Sequence, residues 1–168
     1  MKRLCMLLPA MALAAACARA PDRIQPGMWE YEVVATSVDA PGLPADAQQQ
    51  AQAALNQPQR SRECVTPDNA ANPLREVRDQ LTRSQGVTCQ TSDDSFSDGV
   101  IRFRATCRNS AGGPGQVQLT LDGRFAPITL LADVAVDAEV PNPNGSGTQA
   151  VRTRGTIKGR RIGSCARP

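Results

Sequence analysis

The sequence predicts an α+β fold that is mostly β: a curved antiparallel meander sheet, one or two short helices packed on one face, and two disulfides. Three observations predict it. From about residue 87 onward, apolar and polar side chains alternate in runs broken by Gly- and Pro-rich turns. Two short stretches before that carry helical spacing instead. Four cysteines remain as an even set once the amino-terminal segment is set aside.

Taken in order, residues 1–20 read as a secretory signal: basic Lys2 and Arg3, an apolar run from Leu4 to Ala16, then small residues. That run is shorter than the roughly 20 residues a membrane-spanning helix needs. Leu13-Ala14-Ala15-Ala16-Cys17 has the form of a lipobox, which makes Cys17 a candidate lipidation site. Ala14 stands where a branched apolar residue is usual, and cleavage after Ala18 or Ala20 is the alternative. Residues 21–168 form a single β-rich domain, within the size that buries a real core. With aromatics limited to Trp29, Tyr31, Phe96, Phe103 and Phe125, aliphatic side chains must do most of the packing.

Trp29, Tyr31, Val33 and Ala35 alternate with Glu30, Glu32, Val34 and Thr36, which makes a half-buried strand. Asp46–Gln57 reads as a weakly amphipathic helix with Ala47, Ala51, Ala54 and Leu55 on one side, closed by Pro58. Arg60–Val65 is a short strand. Asn72 caps a second helix opened by Pro73, with Leu74, Val77 and Leu81 as its buried stripe. Strands are then expected at Val87–Thr91, Ile101–Arg108 and around Val117–Leu121, with Asp122-Gly123 as a tight turn. Two more follow, at Ile128–Val140 and Thr148–Ile157, joined by a Pro-, Asn- and Gly-rich turn.

Cys5 lies in the signal, and Cys17 is either lipidated or removed. Cys64, Cys89, Cys107 and Cys165 are left, and in an exported chain they imply two disulfides. Three pairings are possible. Cys89 and Cys107 sit nearly symmetrically about Asp98-Gly99, so a hairpin there sets them opposite each other and leaves Cys64 for Cys165. None of the four is spaced as CxxC, and the chain has no histidine, so zinc is a poor fit.

The lack of histidine also excludes Ser-His-Asp and Cys-His chemistry. Lys158 is the lysine left for a Ser-Lys dyad, and it stands in a solvated Arg- and Gly-rich run. Asp93–Gly99 has a calcium-loop flavour, but Phe96 occupies a ligand position, and a polar hairpin tip is the better reading. No cofactor motif is present. Nineteen basic residues face 16 acidic ones, and the excess nearly vanishes without Lys2 and Arg3, which gives no reason to expect nucleic acid. The one charge anomaly is local. Arg102, Arg104, Arg152, Arg154, Arg160 and Arg161 would form an anion-binding patch if their strands lie side by side, suited to phosphate or anionic lipid headgroups. The competing reading is a solvated face balanced by Asp133, Asp137 and Glu139.

Ile24-Gln25-Pro26-Gly27-Met28-Trp29-Glu30, Cys64-Val65-Thr66-Pro67, the pair Cys89 and Cys107, and Gly159-Arg160-Arg161-Ile162-Gly163-Ser164-Cys165 together resemble the family called Domain of unknown function 3617, small exported proteobacterial proteins. The resemblance runs from residue 24 to 165. It implies an envelope location, in the periplasm or lipid-anchored in a Gram-negative bacterium, and supplies no catalytic residue or ligand. The functional expectation is a non-enzymatic binding module for a partner protein or an envelope ligand. The alternatives are a structural or inhibitory surface-contact module and an enzyme of unrecognised type.

Overall fold

The computed structural model describes residues 23–83, 86–112, 114–141 and 147–165. The expected signal segment, Cys17 and most of the turn before Thr148 lie outside the described residues. The elements run β1 (Gly27–Asp39), α1 (Ala45–Leu55), β2 (Gln59–Val65), α2 (Pro67–Ala71), α3 (Pro73–Arg83), β3 (Val87–Ser97), β4 (Val100–Asn109), β5 (Gln116–Ala126), β6 (Thr129–Pro141) and β7 (Thr148–Gly163).

All the strands join one antiparallel sheet in the order β2-β1-β7-β6-β5-β4-β3. From β3 to β7 it is the expected meander. At β7 the order breaks: the first strand, β1, pairs with the last, and β2 completes the edge. Ser97 pairs with Val100, so Asp98-Gly99 forms a two-residue hairpin turn. Both turn residues have positive φ, 52° and 73°, which suits Gly99 and is tolerated by Asp98. The stretch with a calcium-loop flavour is therefore a strand running into a hairpin.

Asp122-Gly123, expected as a turn, lies inside β5, where Asp122 pairs with Asp133 and Gly123 with Ala132. The chain reverses instead at Pro127-Ile128, since Ala126 pairs with Thr129. A positive φ is what selects glycine in such a turn, and Gly123 is not among the positive-φ glycines. Its role is steric. A Cβ there would fall on the Leu131 carbonyl oxygen and within 2.5 Å of Ala132 Cβ. Gly159 is similar, since a Cβ would come 3.0 Å from the Tyr31 ring.

Strand glycines at such close approaches permit a sheet to curl. Trp29 on β1 and Phe103 on β4 belong to one buried cluster although three strands separate them in the sheet order. The sheet is therefore a trough, with Ile24, Ile101, Phe125 and Leu74 filling one end around Trp29 and Phe103. Both of those large rings are fully buried. Trp29 Nε1 donates to the Gln25 carbonyl at 2.9 Å, so its one polar atom is satisfied.

Helix α3 closes that end with Leu74, Val77 and Leu81, the stripe its spacing predicts. Preceding it is α2, a turn of helix the patterning reading left out. Its signal was present: Thr66 caps it by accepting from Asn69 N–H at 3.2 Å, and Pro67 opens its first turn. Helix α1 differs from expectation. It has no buried residue; Ala47 and Ala51 are half-buried, while Ala54 and Leu55 are exposed. Rather than cover the sheet, α1 lies against β1, where Gln52 Oε1 accepts from the Val38 N–H at 2.8 Å. It caps the edge of β1 beyond the reach of β2.

Candidate binding surfaces of the sheet

Both disulfides join the expected partners. Cys89 and Cys107 are register partners on β3 and β4, on the concave side beneath α3. Cys89 Sγ lies 3.8 Å from the Leu81 carbonyl, so this bridge sits where α3 ends. Cys64–Cys165 joins edge strand β2 to the segment after β7 across 101 residues of chain. Such cross-links belong to an oxidising environment.

The concave face is mostly apolar, with Thr153 and Gln149 among its β7 residues, and the buried cluster covers only part of it. Val33, Val134, Val136, Val140, Val151 and Ile157 continue it past the buried cluster. None of the six belongs to that cluster or packs against it; Val33 is exposed and the rest are half-buried. The helices touch the sheet at its outer strands, α1 along β1 and α3 along β3. The central strands of this half carry an open aliphatic floor.

The convex face is charged. Arg102, Arg104, Arg152, Arg154 and Arg160 all point to it, while Arg161 pairs with buried Trp29 on the other face and donates Nε to the Pro26 carbonyl at 2.9 Å. The convex arginines do not form one patch. Two strands, β5 and β6, separate the β4 pair from the β7 set. Arg154 makes a two-oxygen contact with Asp137 at 2.8 and 3.1 Å, and Arg152 meets Asp39 at 3.1 Å. Glu30 lies between Arg160 and Arg62, at 2.6 and 3.0 Å, and those guanidiniums, Arg160 foremost, hold its carboxyl below the usual range. Such pairs on a wet surface add little stability, but they engage Arg152, Arg154 and Arg160 of the six arginines that the sequence singles out. A shallow concavity of about 360 Å³ lies beside Arg154, lined by Thr36, Thr120, Asp122, Asp133 and Thr156 together with Val134, Ala135 and Gly155.

Sequence reasoning missed the open half of the trough as a surface. Alternation marks those residues as inward-facing, but it does not reveal how far a helix reaches along the sheet.

A family model described as protein of unknown function (DUF3617) matches residues 24–165. The chain belongs to the DUF3617 family. No curated protein and no solved structure matches it. The match begins at Ile24, which is fully buried in the closed end of the trough, and ends at disulfide-bonded Cys165. The family's unit thus coincides with the cross-linked sheet. Among the described residues no helix is long and apolar enough to cross a membrane.

Proposed function

We propose that this DUF3617 protein is an exported, non-enzymatic binding module of the cell envelope that holds an apolar ligand, or an apolar segment of a partner, on the open half of its trough. The observation that carries this reading is the aliphatic floor running past the helix-covered core. A sheet of this kind ordinarily buries its apolar face against another layer, and a contiguous uncovered apolar surface is a mark of an interaction site. Val134, Val136 and Ile157 stand there on the paired strands β6 and β7, with β5 beside them. Export is supported by the signal-like residues 1–20 and by the two disulfides. The chain has no histidine, so the commonest general base is absent, which fits a module that holds rather than transforms.

Native mass spectrometry of the protein isolated from its host envelope, with titration of an apolar naphthylamine dye, tests this. The expected result is a retained adduct or saturable one-to-one dye binding, weakened at least tenfold by Val136→Asp with both disulfides intact. Bare polypeptide that also fails to bind dye would overturn the proposal.

A further inference from the structure

On the convex face the charges form rows across the strands, and most rows alternate in sign. Arg102 faces Asp122, Arg152 faces Asp137, and Arg160 faces Glu30. Two neighbouring rows break the pattern: Asp122 faces Asp133, and in the next row two cations stand with no acid between them. Arg124 on β5 and Lys158 on β7 flank Leu131 on β6, where an acid would complete the alternation. Neither cation has a carboxylate within ion-pair distance among the described residues, and Glu32, opposite Lys158, is held by Arg60 at 2.8 Å. Both cations are exposed.

The same end of the sheet carries the two most exposed large aliphatics among the described residues, Leu131 and Ile128, with Ile162 beside them. Leu131 is 55% exposed, Ile128 in the β5–β6 turn is 51% exposed, and Ile162 at the end of β7 is 41% exposed. Arg161 N–H donates to the Ile128 carbonyl at 2.9 Å, which brings the end of β7 beside that turn. Asp98 stands in the adjoining hairpin and leaves the rim net positive. The start of the domain converges here too. Gln25 N–H donates to the Pro127 carbonyl at 2.7 Å, which holds Gln25, two residues after exposed Arg23, at this rim. Cys17, the candidate lipid attachment point, is six residues before Arg23 in sequence.

We infer that the β5–β6 end of the convex face docks on an anionic membrane surface, with Leu131, Ile128 and Ile162 entering the headgroup layer and Arg124 and Lys158 meeting lipid phosphates. Apolar side chains ringed by basic ones suit that interface, where area and charge add. A neutral apolar partner would leave the two unpaired cations desolvated, which argues against it. The trough floor lies on the concave face, so docking through the convex face leaves it accessible. This inference rests on the proposed envelope location and is independent of whether the trough holds a ligand.

The test is flotation of the full chain, made in an oxidising compartment with Cys17→Ser so that no attached lipid contributes. Vesicles of phosphatidylcholine alone are compared with equimolar phosphatidylcholine and phosphatidylglycerol. Binding is expected to the anionic vesicles, weakened by salt. Each basic residue near such a surface is worth about fivefold in affinity, so Arg124→Gln with Lys158→Gln should weaken binding roughly 25-fold. Leu131→Ser should weaken it separately, and Arg108→Gln at the far end of β4 should not. Val136→Asp should float as the parent does even if it loses trough binding, which separates failure of one proposal from failure of the other. Equal binding to neutral vesicles, no binding to either, or an Arg124/Lys158 double variant that floats like the parent would overturn the inference.

Discussion

Gly123→Ala adds one methyl group on β5 against the backbone of β6. The new Cβ would meet the Leu131 carbonyl oxygen and lie 2.5 and 2.6 Å from Ala132 Cβ and Cα. Carbon atoms at ease stand about 3.5–4.0 Å apart, so the β5–β6 pair must separate by roughly an ångström. Neither obstacle is the far end of a flexible side chain, so rotamer changes cannot relieve the clash. Overpacking of this kind costs about 1–3 kcal/mol, offset by about 0.4–1 kcal/mol from the stiffer unfolded chain. The net expectation is a loss of about 1–2 kcal/mol. Gly163→Ala supplies the comparison: its φ is not positive, and a Cβ there meets nothing within 4 Å. It should be neutral or slightly stabilising. Urea unfolding followed by Trp29 fluorescence measures both, since Trp29 is the chain's single tryptophan and is fully buried in the core. If Gly123→Ala unfolds at the same urea concentration as Gly163→Ala, the view that small residues permit the curl is wrong.

Tyr31 is the chain's single tyrosine, so phenolate absorbance reports on it alone. Burial, with a smaller contribution from Glu63, pushes its pKa up to about 12 from 10.0. A raised folded pKa means that the stabilisation from keeping the phenol neutral is whole below pH 10 and disappears as pH rises toward 12. An alkaline titration should show its midpoint near 12 in the native protein and near 10 in urea; a native midpoint near 10 would contradict the buried placement. Separate replacement of each cysteine pair by serine should cost about 4–5 kcal/mol for Cys64–Cys165 and about 3 kcal/mol for Cys89–Cys107, on the loop-closure model, read as shifts in urea midpoint. The reverse ranking would mean that the α3 contact beside Cys89 outweighs loop length.

Legibility in the sequence followed the range of the physics involved. Strict alternation from Ile101 to Cys107 reports local geometry, and β4 shows it in full, with Ile101, Phe103, Ala105 and Cys107 all buried. The Leu74, Val77, Leu81 stripe and the Asp98-Gly99 hairpin are equally local. What failed was long-range. Asp-Gly resembles a turn by composition, and only the proximity of β6 explains why Gly123 must lack a side chain while staying extended. The end of β7 reads as a glycine-broken basic run, yet it continues to Gly163 because β1 pairs with it throughout. Helix α1 lacks an apolar stripe strong enough to cover a sheet, and its actual task, supplying Gln52 to a strand edge, leaves no periodic trace.

The arginine-rich face shows the same division between composition and placement. Six arginines in β4 and β7 suggest one cationic field, but the sheet order sets three strand spacings between Arg102 and the β7 arginines, roughly 14 Å. At physiological salt that exceeds the screening length of about 8 Å, so the two sets act on a ligand almost independently. Within the β7 set, Asp137 and Asp39 pair with Arg154 and Arg152, and Glu30 is shared by Arg160 and Arg62. Cation count therefore says little about where an anion would bind. The place to look is where the cross-strand acid is missing, and Leu131 between Arg124 and Lys158 is such a place. Leu131→Asp should restore alternation there and remove the attraction for anionic vesicles more completely than Leu131→Ser does. If the two variants bind alike, the aliphatic contact alone holds the membrane, and the neighbouring cations are bystanders.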